Sequence, residues 1–336
     1  MRVWEIRSFA LDGLTLADRP DPQPGPGQAV VRVRAVSLNY RDLRMVLGQY
    51  NPKQPLPLIP CSDGAGDVVS VGPGVSRVKP GDRVMAAFSQ AFIAGPPTRE
   101  KLRGTLGGPV DGTLAEMMLL PADALALTPV HLSDAEASTL PCAAVTAWNA
   151  LIEQGGVTAG DIVLVQGTGG VSIAALQFGV LMGARVIVTS SSDAKLERAR
   201  ALGAWQTINY KTTPDWDKVA RGFTQNVGVD HIIEVGGGST LGPSLKAIRV
   251  GGTISIIGVL SGVSTDVSLL PILMQNLRLQ GVFVGSRETL ERMNKAIAHN
   301  EMKPVVDRTF PFDEARAAFE YLGSGQHFGK IAISVS

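Results

Sequence analysis

Cysteine is scarce in this sequence: two residues, Cys61 and Cys142, among 336. Two thiols cannot build a disulfide framework or a four-thiolate zinc site. Histidine is as thin, and His131, His231, His299 and His327 lie scattered, without metal-ligand spacing. No Gly-x-Ser-x-Gly elbow and no Cys-x-x-Cys pair occurs. Neither sign of charge prevails, and a formal net charge of +1 gives no electrostatic case for nucleic acid or a membrane surface. No apolar run is long enough to span a bilayer. Met1 to Phe9 carries charges and lacks the apolar centre of a signal peptide. The expectation is a chain of a reducing, cytoplasmic compartment, without repeats or low-complexity tracts.

The length suits roughly two domains with full cores. The most informative stretch runs from Asp161 to Lys195. Ile162 to Val165 is a short β-branched run, the pattern of a buried parallel strand. Gly167, Gly169 and Gly170 follow at once. Val171 to Met182 reads as a helix apolar nearly all round, stopped by Gly183, and Arg185 to Thr189 is a second strand. Strand, glycine turn, helix, strand is one βαβ unit whose helix N-terminus offers free N–H groups to a pyrophosphate. The spacing is Gly-x-Gly-x-x-Ser, with Ser172 where the usual fingerprint has its third glycine. The context is the one a dinucleotide-binding fingerprint demands.

The end of the second strand bears on which dinucleotide. A cofactor without a 2′-phosphate usually meets an Asp or Glu there, about 20 residues on. Here stand Thr189, Ser190, Ser191 and Ser192, with no carboxylate before Asp193, and then Lys195 and Arg198. Hydroxyls and a cation suit a phosphate. The plainer account, that the serines and Asp193 cap the helix Ala194 to Leu202, is compatible with this. The expected cofactor is NADPH.

Before this unit the chain reads as β structure with Gly/Pro turns. Strands are expected at Ala29 to Ser37, Gly66 to Val71 and Arg83 to Ala86, with one helix at Tyr40 to Leu47. Residues 87 to 112 form a long loop, of the kind that is functional or mobile. Ser133 with Glu136 is a capping box, and Ala143 to Glu153 a helix. After the unit, strands at Thr207 to Asn209, His231 to Val235, Thr253 to Ile257 and Leu277 to Val284 alternate with helices, the sign of a doubly wound parallel sheet. The tail from Val305 is expected to return to the first domain. The fold class is α/β, a Rossmann sheet plus an N-terminal β-barrel-like domain. The expected boundaries are 1–124 with 270–336, and 125–269.

Several stretches carry a resemblance: Gly81-Asp82-Arg83-Val84, Gly112-Thr113-Leu114-Ala115-Glu116, Thr146-Ala147-Trp148, Ala201-Leu202-Gly203-Ala204, Asn209-Tyr210 and His327-Phe328-Gly329-Lys330. Together they resemble the medium-chain dehydrogenase/reductase superfamily, with its GroES-like first domain, and within it the zinc-independent quinone oxidoreductases and enone reductases. Where zinc-dependent relatives carry ligands, this chain has Asn39 and Ser62; only Cys142 falls at a third ligand place. Cys61, Asp63 and Cys142 could regroup only in a shifted register, so no metal is expected.

The resemblance implies hydride transfer from NADPH to a quinone or an α,β-unsaturated carbonyl. It makes Asn39, Tyr40 and Tyr50 the candidate catalytic residues, Tyr50 matching an active-site tyrosine of enoyl reductases. A phenol is a plausible donor to an enolate; the bland alternative makes Tyr40 a core aromatic and Tyr50 a loop residue. For the cofactor it implies Gly167, Thr168, Gly169, Gly170 and Val171 at the pyrophosphate, and Ser191, Lys195 and Tyr210 at the 2′-phosphate end. Thr146, Gly258, Val259, Val284, Ser286, Phe328 and Lys330 are then expected around the nicotinamide. A homodimer paired through the last sheet strand is also implied. Two other readings stay open: an alcohol dehydrogenase or carbonyl reductase of the same superfamily, and a protein that holds NADPH without turnover.

Overall fold

An eleven-residue strand, Gln28–Leu38, holds the first half of the molecule together. Its valines and alanines are buried on both faces, so β-branched packing rather than a solvated alternation decides its conformation. In the computed structural model, which describes residues 1–335, the chain divides into two compact units: Met1–Val145 with the segment from Gly285 onward, and Thr146–Val284.

The first unit starts with an antiparallel pair, β1 (Arg2–Ile6) and β2 (Leu14–Asp18). Then come β3 (Gln28–Leu38), β4 (Asp63–Val71), β5 (Arg83–Ala86), β6 (Met117–Pro121) and β7 (Leu125–Leu127). The second unit contributes β8 (Ile162–Gln166), β9 (Arg185–Ser190), β10 (Gln206–Asn209), β11 (Val229–Glu234), β12 (Ile248–Ile256) and β13 (Arg278–Gly281). The chain then returns to the first unit with β14 (Val306–Pro311) and β15 (Lys330–Ser334), and β15 pairs with β3, as expected of the tail. The first sheet runs β14-β15-β3-β4-β5-β7, with β6 also on β3; the second runs β10-β9-β8-β11-β12-β13, every pair parallel.

The boundaries differ from the expected ones. β7 pairs with β5, and the helix Asp134–Ser138 packs on β3 and β4, so residues 125 to 145 stay with the first unit. β13 pairs with β12, so residues 270 to 284 stay with the second. The Ser133–Glu136 capping box forms as expected. The helix expected over Ala143 to Glu153 is instead a short α stretch, Val145–Trp148, between π-helical turns at Leu140–Ala144 and Asn149–Glu153. The loop 87–112 is pinned: the Phe92 and Ile93 carbonyls accept the first N–H groups of the helix Arg287–His299, and Arg41 holds the carbonyls of Leu106 and Gly108.

In the second unit the helix Gly170–Leu181 buries Ile173, Ala175, Leu176 and Phe178. Burying such a side chain contributes about 1.5–3 kcal/mol. Gly179 lets the helix lie close on β9, since a Cβ there would stand 2.7 Å from Val186 Cγ2.

Candidate active site

The glycine turn sits at the carboxyl end of β8. Gly167 has φ +73°, a conformation that favours glycine, and its N–H reaches Thr189 Oγ1 at 3.4 Å. Gly169 is the N-cap of the helix Gly170–Leu181, and a Cβ there would meet nothing within 4 Å. The backbone thus faces open space at the positive end of a helix, the environment an anion needs. Ser172 explains the departure from the fingerprint. It is 3% exposed, and its hydroxyl donates to the Gln166 carbonyl at 2.7 Å, tying helix to strand where the usual fingerprint has a glycine for close packing.

At the end of β9, Ser192 caps the helix Asp193–Ala201, accepting from the Lys195 N–H at 3.4 Å. Asp193 is taken by Asn209, whose Nδ2 donates to Oδ1 at 2.7 Å. Half-buried Ser191 and Lys195 and exposed Tyr210 stand by the ends of two neighbouring strands, β9 and β10. Gly258 and Val259 follow β12; a Cβ on Gly258 would lie 2.6 Å from the Val235 carbonyl oxygen, and Val259 is half exposed. Val284 has φ +47°, an outlier for a β-branched residue. Its carbonyl accepts from Asn149 Nδ2 at 2.7 Å. Strain of this kind persists where surrounding contacts enforce it, and it concentrates at functional sites. Thr146 is buried in the short α stretch between the π-helical turns. The turn, the open helix end and the polar strand ends fit a dinucleotide.

In the first unit a buried polar cluster stands at the positions expected to have lost their metal ligands. Asn39 Nδ2 donates to Asp63 Oδ2 at 2.9 Å and to Ser62 Oγ at 3.3 Å. Its Oδ1 accepts from the Lys330 ammonium at 2.6 Å, which also donates to the Leu38 carbonyl at 2.6 Å and lies 3.5 Å from Asp63 Oδ2. Ser37 Oγ lies 3.1 Å from the same carboxylate oxygen. Desolvation pushes the Asp63 carboxyl up, against the pull of Lys330, Asn39 and Ser37. Desolvation likewise pushes up the thiols of Cys61 and Cys142, with Asp42 and Asp63 adding to it. Zinc takes thiolate, neutral imidazole or carboxylate ligands. Here an amide is tied at both ends, a hydroxyl stands beside it, the thiols are held protonated, and a buried ammonium carries the positive charge. This set does not fit zinc. Asn39 and Lys330 are brought together, but with Asn39 as a strut whose two amide hydrogens are committed.

The two candidate phenols are exposed rather than hydrogen-bonded into this cluster. Asn39 is the N-cap of the helix Tyr40–Val46, and its N–H donates to Asp42 Oδ2 at 2.8 Å. Tyr40 is 46% exposed beside Arg44, the ring centroid 5.9 Å from the guanidinium. Tyr50 is 50% exposed and lies under Arg41 at 5.0 Å. Arg41 also faces Phe88 at 5.1 Å, so the guanidinium stacks between two rings. Tyr40 is therefore not the core aromatic of the bland alternative. Ser286 and Phe328 spend their side chains inside the first unit. Ser286 caps the helix Arg287–His299, and Phe328 is 1% exposed. Asp42 and Arg41 carry no site signal in the sequence beyond the N3 spacing of Asp42 from an Asn N-cap.

Comparison with known proteins agrees with the two-domain architecture. The alcohol dehydrogenase GroES-like domain family matches residues 25–130, and the zinc-binding dehydrogenase family matches residues 170–299. A zinc-type alcohol dehydrogenase-like protein of Schizosaccharomyces pombe is 45% identical over 98% of this chain and 97% of its own length. A 2-methylene-furan-3-one reductase of Solanum lycopersicum is 30% identical over 99% of this chain and 79% of its own. A solved NAD-dependent alcohol dehydrogenase superposes with a TM-score of 0.90 at 35% identity, covering 100% of both chains. The chain is a member of the medium-chain dehydrogenase/reductase superfamily, an oxidoreductase with a GroES-like first domain and a Rossmann second domain.

Proposed function

We propose that this oxidoreductase uses NADPH to reduce quinones or α,β-unsaturated carbonyls without a metal. The observation that supports the reading is the Asn39–Asp63–Lys330 cluster, an amide and an ammonium at the positions where the resemblance puts the metal ligands of zinc-dependent relatives. When bound, the nicotinamide supplies a hydride to the β-carbon of an enone. Gly167, Thr168, Gly169, Gly170 and Val171 would hold its pyrophosphate, and Ser191, Lys195 and Tyr210 the 2′-phosphate end. The reduced enone then needs a proton at its α-carbon. With both amide hydrogens of Asn39 engaged, two half-exposed phenols remain as donors, Tyr40 and Tyr50, and the reading assigns the step to Tyr50, the residue that matches an active-site tyrosine of enoyl reductases. Arg41 over the Tyr50 ring keeps that loop residue in place. The furanone reductase among the relatives supports the enone side of this reading. The names of two other relatives favour an alcohol dehydrogenase, and alcohol oxidation with a bound metal would replace the proposal.

The test is Tyr50→Phe with one enone and one quinone. Enone kcat should fall by about 10²–10⁴-fold, the worth of general acid catalysis. Quinone reduction should suffer less, because water protonates the reduced oxygens, and NADPH affinity should hold. An unchanged enone kcat with raised KM for both acceptors would make Tyr50 a pocket wall.

A further inference from the structure

In the second unit, a carboxylate is buried at the carboxyl end of the sheet with both oxygens hydrogen-bonded. Glu234 is 0% exposed, and Gln166 is 5% exposed. They end neighbouring parallel strands: the pairing of β11 with β8 runs through Ile233↔Val165, and these are the next residues of each. The strand order also turns at this pair, since β8, β9 and β10 run one way across the sheet and β11, β12 and β13 the other. That is the switch point, where open α/β sheets bind ligands.

The bonds of the pair converge on one loop. Gln166 Nε2 donates to Glu234 Oε2 at 2.7 Å and to Ser244 Oγ at 2.9 Å, and the Ser244 hydroxyl reaches the same carboxylate oxygen at 2.5 Å. Glu234 Oε1 accepts from the N–H groups of Gly236 and Gly237, each at 3.0 Å, and from the Thr240 hydroxyl at 2.5 Å. Gln166 Oε1 accepts from the N–H groups of Val235 at 3.2 Å and Gly236 at 3.3 Å. The loop after β12 is zipped to the same backbone: Ile257 N–H to the Glu234 carbonyl at 2.9 Å, Leu260 to Val235 at 3.2 Å, and Ser261 to Gly236 at 2.7 Å. Contact is tight enough that a Cβ on Gly237 would stand 2.8 Å from the Gly262 carbonyl oxygen. A displacement of one loop therefore moves the other.

Burying so polar a pair costs free energy that an apolar pair would not, even when it is fully hydrogen-bonded. Here it fixes peptide groups at the mouth of the switch point rather than inside the sheet. We propose that Gln166 and Glu234 are positioning residues for the nicotinamide half of the dinucleotide, acting through Val235–Gly238 and Gly258–Val259. This rests on the reading that the chain binds a nicotinamide dinucleotide.

Calorimetric titration of NADPH and of 2′,5′-ADP, which lacks the nicotinamide half, tests it. Glu234→Gln sets two amide groups against each other. It should weaken NADPH by about tenfold, the effect of losing one well-placed hydrogen bond, and leave 2′,5′-ADP within about twofold. The double variant Gln166→Glu with Glu234→Gln exchanges amide and carboxylate, leaves every loop N–H an acceptor, and should recover wild-type NADPH affinity. Equal losses for both probes, an unchanged NADPH affinity, or a double variant no better than the single one would overturn the proposal. If Glu234→Gln melts below the titration temperature, Ser244→Ala, which removes one donor to the same oxygen, carries the comparison, with a severalfold loss expected on NADPH alone. If the wild type prefers NADH, NADH and AMP become the probes. A wild type that binds no dinucleotide refutes the functional reading, a result distinct from any of these.

Discussion

Replacing Asp42 by Asn should abolish a pH dependence of stability that runs opposite to ordinary acid denaturation. Asp42 is fully buried beneath the Asn39 cap. Burial pushes its carboxyl from 3.8 up to about 6, against the pull of Arg41; Asp63 raises it further, and the Asn39 N–H and Lys330 oppose this. The folded chain thus binds this proton more tightly than the unfolded chain. The resulting stability is fully present below pH 3.8 and is lost as pH rises through about 6. A rise of ~2 pKa units, at about 1.4 kcal/mol each, makes the loss about 3 kcal/mol. Asn cannot ionise, yet its carbonyl can still accept the Asn39 N–H. Urea unfolding of both proteins between pH 4 and pH 7 reads the effect. The variant should gain about 2 kcal/mol on the wild type across that window, since part of the effect is already lost at pH 4. Parallel curves would refute the reasoning. A wild type that gained on the variant as pH rose would show that Arg41 outweighs burial.

Lys195→Ala should weaken NADPH by about 1.5–3 kcal/mol, the worth of a charge-assisted hydrogen bond, and leave NADH nearly unaffected; competitive titrations with the two cofactors check it, and equal losses would remove Lys195 from the 2′-phosphate site. We also propose a homodimer through the edge of the second sheet, where β13 has one side unpaired among the described residues and Leu269, Leu270, Leu273 and Met274 stand exposed. An unpaired edge beside an apolar patch invites a partner strand. Light scattering should give twice the chain mass, and Leu273→Asp should give the monomer.

Local signals in the sequence predicted most of the elements. The β-branched run of β8, the glycine turn and the apolar helix after it stand within a residue of where periodicity puts them, because each is decided by neighbours a few positions away. The Ser133 cap is of the same kind. The Ala143–Glu153 region defeats a helical pattern because its apolar residues suit α and π turns alike. β13 ends at Gly281, short of the expected Val284, where the backbone turns left-handed at a valine, against propensity. In the candidate site, the glycine turn was legible and the polar networks were not. Asn39 meets Lys330 across 291 positions and Gln166 meets Glu234 across 68, and no local pattern records either meeting. Ser286 and Phe328 show the converse: positions chosen by resemblance, whose side chains a helix cap and a core claim for themselves.

The central claim is metal-free reduction of an activated double bond. Its most direct measurement is the rate of NADPH oxidation with a simple enone, taken on protein dialysed against a strong chelator and again after zinc is restored, with elemental analysis of both samples. The same enone rate is expected in both samples, with no stoichiometric zinc in the protein as purified. About one zinc per chain, with activity lost on chelation and regained on adding the metal, would contradict it.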